Sequence, residues 1–148
     1  MKVPDKKTQL LNEICNTAGL NDYRDTVNEI LNEIHSSNCN ISCRYDKVGS
    51  NIEQYLNHEN PRIRISMVSI KEPLHVIWAI LHEFGHFKSG KPNGEEPIDR
   101  EMLAWEIAEK DLKRYPDLLK EKDSFYRHKD YCIATYLRGE EFKRVNGV

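Results

Sequence analysis

His82-Glu83-Phe84-Gly85-His86 is the stretch from which the rest of the chain can be read. It follows an apolar run, Leu74-His75-Val76-Ile77-Trp78-Ala79-Ile80-Leu81, and Val76, Ile77, Ile80, Leu81, Phe84 and Phe87 recur at three- and four-residue steps. That period predicts a buried helix. Residues four apart share one helix face with Cβ atoms about 5–6 Å apart, so imidazoles at 82 and 86 can reach a single metal ion at about 2.0–2.1 Å. Glu83 then falls beside the ion rather than on it, where a carboxylate can take a proton from a metal-bound water. Two histidines and a glutamate are costly in an apolar segment without a partner, which favours a metal site over a pair of satisfied core histidines. His75, Ala79, His82 and His86 form one face, and the small Ala79 leaves room beside the rings.

The 148 residues suit a single domain, 1–148, long enough to bury a core. Lys and Arg number 22 against 24 Asp and Glu, for a net charge of -2. Charges of both signs are interspersed, and nothing in them calls for nucleic acid or an anionic membrane. No segment approaches the ~20 apolar residues that span a bilayer, and no signal-like apolar run follows Met1-Lys2-Val3-Pro4-Asp5-Lys6-Lys7. The expected location is cytoplasmic. In a reducing compartment Cys15, Cys39, Cys43 and Cys132 are expected as free thiols. Cys39 and Cys43 with nearby His35 are too loosely spaced to argue for a second zinc site.

Two amphipathic helices are expected first. One runs from Asp5 to Ala18 before Gly19, and a second starts near Asn21 or Asp22 and carries Val27, Ile30, Leu31 and Ile34. Ile41 to Tyr45 alternates like a strand, Ile52 to Leu56 is ambiguous, and Arg62 to Ile70 is the clearest strand. An exposed edge on that last strand would suit an extended peptide; a strand covered on both edges is the competing expectation. Pro73 opens the motif helix, Gly90 and Pro92 end it, and Lys91 to Glu96 reads as a polar loop. A long helix from Pro97 to Tyr115 and a last one from about Asp117 to Leu137 complete the pattern.

Catalytic zinc sites use three protein ligands and leave a position for water. Glu101 heads a stripe through Ala104, Trp105, Ala108 and Leu112, a face whose alanines permit close approach to the motif helix. Glu106 is the rival, turned about 140° away toward Glu109 and Lys113. Asp99, Glu95 and Glu96 remain further candidates.

Through His82-Glu83-x-x-His86 and Glu101-x-x-Ala104-Trp105-x-x-Ala108, the chain resembles the gluzincin metallopeptidases, and among them the ImmA/IrrE-like family. The resemblance implies an α+β fold: a compact minimal zincin, mostly helical, with a small sheet of about three strands beside the motif helix. It implies Zn2+ held by His82, His86 and Glu101, with Glu83 as the catalytic base. One position departs from the pattern. The family usually has Asn or Asp four residues after the ligand glutamate, hydrogen-bonded to a metal-bound histidine, and here that residue is Trp105. A different partner must hold the imidazole.

The expected function is therefore a zinc metallopeptidase that hydrolyses peptide bonds in a protein or peptide substrate, with a regulatory protein as a further partner. Tyr126, His128, Tyr131 and Tyr136 on the last helix are open candidates for stabilising the oxyanion. The alternative is a metal-binding regulatory or interaction module of a mobile element, with little or no turnover.

Overall fold

The computed structural model describes residues 5–53, 60–90 and 97–146. The expected polar loop at 91–96 and the second half of the ambiguous stretch 52–56 lie outside the described residues. The fold is α+β, predominantly helical, with one small mixed sheet.

Helix α1 (Lys6–Ala18) starts where the Asp5 side chain accepts the Thr8 amide, and it stops at Gly19, whose φ of 75° few other residues adopt readily. A single 3-10 turn, Asn21–Tyr23, leads into α2 (Arg24–Ser36), which buries Val27, Ile30, Leu31 and Ile34 as its spacing predicts. Strands β1 (Asn40–Arg44), β2 (Asn51–Glu53) and β3 (Arg62–Ser66) follow. The sheet order is β1-β3-β2, with β3 parallel to β1 and antiparallel to β2. The exposed edge considered for β3 is thereby corrected: it is the middle strand, with Ile63 and Ile65 buried and both flanks paired. It also ends at Ser66 rather than Ile70, and Ser69 turns the chain with a φ of 57°.

Helix α3 (Pro73–Ser89) then crosses beside β3 and β2. Pro73 fits its first turn because no helical partner awaits an amide there. Helix α4 (Pro97–Leu112) packs along α3 and buries Ala104, Trp105, Ala108 and Leu112. The expected last helix is divided into a short α5 (Pro116–Leu119) and a long α6 (Lys122–Asn146), which begins later than the sequence suggests and runs further. One apolar cluster joins α1, α2, the sheet, α3, α4 and the start of α6, with Trp78, Phe84, Trp105 and Phe125 at its centre. Trp78 Nε1 donates to Ser124 Oγ at 3.1 Å, so the buried indole N–H is satisfied across α3 and α6.

Two features fix how α3 meets α4. At Gly85 a Cβ would collide with the Ala104 carbonyl, so glycine is what allows the two backbones to touch. Beyond it, a polar hub ties α2 to both helices. Lys88 Nζ reaches Asp111 at 2.8 Å and Glu33 at 3.2 Å, while Glu33 also accepts from Arg114 at 2.9 Å and from the Tyr115 hydroxyl at 2.9 Å. The Arg114 hydrogen bond, with Tyr115 and Lys88 adding to it against the cost of burial, holds the Glu33 carboxyl down at about 2.

Overpacking against a neighbouring backbone costs about 1–3 kcal/mol, against the ~1 kcal/mol of helix propensity that alanine adds. Gly85→Ala should therefore lower the unfolding free energy in denaturant titrations by about 1–2 kcal/mol; a gain in stability would contradict the helix contact. Glu33 stabilises the fold above its unfolded pKa of about 4.5, and that contribution fades as pH falls toward 2. Glu33→Gln should lose about 1–2 kcal/mol at pH 7, discounted for the solvent that reaches Arg114, and should converge on the parent protein's stability in acid.

Candidate metal centre

The α3–α4 contact places the three expected ligands together. His82 Nε2 lies 2.9 Å from Glu101 Oε2, and His86 Nε2 lies 3.3 Å from the same oxygen. The imidazole centroids are 4.7 Å apart, and the three prospective ligand atoms fall within 4.8 Å of one another. Among the described residues this is the one His, Cys, Asp and Glu group so arranged.

The donor set suits zinc. Ligands about 2.0–2.1 Å from a tetrahedral ion are themselves about 3.3 Å apart, a spacing that the His86–Glu101 contact matches and the His82–Glu101 contact, at 2.9 Å, approaches. His82, Glu101 and His86 retain 15%, 24% and 21% of their side-chain exposure, which leaves the cluster approachable from solvent. Two nitrogens and one oxygen without cysteine is the composition of catalytic rather than structural zinc sites.

Glu83 is nearly sealed, at 7% exposure, and its Oε1 sits 3.7 Å from His82 Nδ1. Burial pushes its carboxyl above the ordinary range, against the opposing pull of His82 and His86. Glu101 behaves in the opposite way. Burial disfavours its charge, but the hydrogen bonds with His82 and His86 prevail and hold it at about 2. For His86, burial works against the charged ring, and the Glu101 hydrogen bond and charge more than compensate, raising its pKa. Two neighbouring carboxyls are thus driven apart in acidity, one toward holding a proton and one away from it.

No protein-family model, curated protein or solved structure matches this chain.

The rival ligands sit elsewhere. Asp99 and Glu106 are exposed and line a separate cavity of about 330 Å³ with Met102 and Leu103, on the outward side of α4. Glu95 and Glu96 lie outside the described residues. A second cavity, of about 470 Å³, is bordered by Lys6, Lys7, His35 and Arg62 and is remote in sequence from the cluster. Cys39 and Cys43 are unpaired thiols whose pKa values burial raises to about 11 and about 12, so neither behaves as a ready metal ligand.

Of the oxyanion candidates, Tyr131 is 61% exposed, and Tyr126 packs edge-on against Phe125. His128 stacks on His75 at 4.2 Å, and burial followed by the charges of His75 and His82 lowers its pKa to about 4, leaving it neutral at pH 7. Tyr136 is half-buried on the same side of α6 as Cys132; burial raises the pKa of both, with the Glu101 charge adding to it for Cys132 and the Glu140 and then Glu101 charges for Tyr136. Two further features are not part of the expected site. Gly85 admits α4, and the Trp105 ring lies flat on His82 with centroids 4.1 Å apart and planes 7° apart. A glycine inside a helix, with its cost of roughly 0.5–1 kcal/mol, was the available signal for the first.

Metal titration of purified protein should give one tight site per chain, abolished by Glu101→Ala and unaffected by Glu106→Ala. Equal loss in both variants would mean that the carboxylate has been misplaced.

Proposed function

We propose that this chain is a zinc-dependent peptidase with a compact gluzincin-like site, acting on a protein or peptide substrate. The observation that carries the reading is the meeting of His82 Nε2, His86 Nε2 and Glu101 Oε2, with the buried Glu83 carboxyl alongside. Zinc bound by these residues would supply Lewis acidity, polarising the scissile carbonyl and making a water acidic enough to attack near neutral pH. Glu83 would accept a proton from the attacking water as the water oxygen bonds to the carbonyl carbon. When the C–N bond breaks, Glu83 Oε returns the proton to the leaving amine. A carboxyl whose proton affinity is raised by burial is suited to both transfers, because a base acts best when its pKa approaches the working pH.

Glu101 remains ionised throughout and fixes both imidazoles. No helix among the described residues is long and apolar enough to cross a membrane.

Glu83→Gln tests the reading. Zinc content and melting temperature should match the parent protein, while cleavage of unfolded protein substrates falls by at least about 100-fold, the contribution of a general base. If the parent and the variant both bind zinc and are equally inert, the metal serves an interaction module instead.

A further inference from the structure

A metal-bound histidine ordinarily donates its second ring N–H to a carboxylate, carbonyl or water, which fixes the ring's orientation. Among the described residues, no carboxylate or carbonyl lies within hydrogen-bond length of His82 Nδ1. The nearest carboxylate oxygen to its Nδ1 is Glu83 Oε1 at 3.7 Å, beyond hydrogen-bond length. Its ring face is instead covered. The Trp105 indole lies parallel to it at 4.1 Å, and Trp105 is itself 1% exposed.

Trp105 is held in turn. Phe125 meets it edge-on at 5.7 Å and His128 at 6.2 Å, both within the range of productive aromatic pairs. His128 then stacks on His75 at 4.2 Å, an interplanar angle of 28°. The result is a column, His75, His128, Trp105 and His82, drawn from α3, α6 and α4 and returning to α3.

We propose that Trp105 is the positioning residue for His82: its buried indole face sets the plane of the imidazole so that Nε2 meets His86 and Glu101, with His128 and Phe125 as the backing. The inference rests on the zinc reading above and adds to it. Stacking and hydrogen bonding divide the work between them. The indole blocks rotation of the ring out of plane, and Glu101 Oε2, at 2.9 Å, selects which nitrogen faces inward. The arrangement has a chemical consequence: Glu83 is not committed to holding the ring, so its carboxyl stays available for proton transfer.

The test uses the full chain. In the metal-free parent protein, the His82 ring protons should resonate upfield of ordinary imidazole positions because they lie over the indole; ordinary shifts overturn the proposal without any substitution. Zinc affinity is then measured by competition with a chromophoric chelator for the parent protein, Trp105→Phe and Trp105→Leu. Trp105→Leu should bind about tenfold or more weakly, the effect expected when a metal ligand loses its support. Trp105→Phe keeps a ring and should recover most of the affinity, although melting of both metal-free variants reports lost packing. The visible spectrum of the cobalt(II) form should change in Trp105→Leu and be retained in Trp105→Phe.

If the parent protein binds zinc and both variants match it, or both weaken equally, Trp105 is a packing residue and the proposal fails. A parent protein that takes up no zinc instead removes the zinc reading itself, and this inference with it. Should Trp105→Leu not fold, the ring-proton shifts decide the question.

Discussion

The close approach of α3 and α4 at Gly85 and Ala104 is the constraint on which the site depends. A carboxylate at Glu101 reaches only a few ångströms from its backbone, and it meets two imidazoles because the helix carrying it lies directly against theirs. Any side chain at 85 would push α4 outward and carry Glu101 away from both rings. The missing Cβ thus matters as much to the cluster as the ligands do. The residues surrounding this contact reinforce it, with Ala104 and Ala108 small on one side and Trp78, Phe84 and Phe125 filling the volume behind.

Two kinds of support hold that contact in place, and they differ in character. The apolar centre is non-directional and sets the distance between helices. The hub of Glu33, Lys88, Asp111, Arg114 and Tyr115 is directional and sets their rotation. Lys88 lies two residues beyond His86, so the helix that carries the imidazoles is anchored just past the cluster. Trp105 then gives the packing a second role, because an indole in the core also covers a ring of the site.

The parts legible in the sequence were those governed by local periodicity. Helix α3 could be read from its apolar run, its opening Pro73 and its closing Gly90, and Glu101 from the alanine stripe that it heads. Asp5 and Gly19 bracket α1 as their residue types suggest. What escaped depends on residues far apart in the chain. Whether β3 is an edge or a centre is decided by pairing with β1 and β2, which its own alternation cannot reveal. Glu33 looks like any polar residue on an amphipathic helix until α3 and the turn after α4 bring three donors to it. Trp105 was visible as a departure from a family pattern, yet its stacking on His82 follows only from how α4 lies on α3.

With β3 paired on both sides, an extended chain that joined this sheet would do so along the outer flank of β1 or of β2, and β2 is the flank that contacts α3. Main-chain pairing of that kind is open to peptides of any sequence, so discrimination between one peptide and another would fall to side chains on either side of the strand.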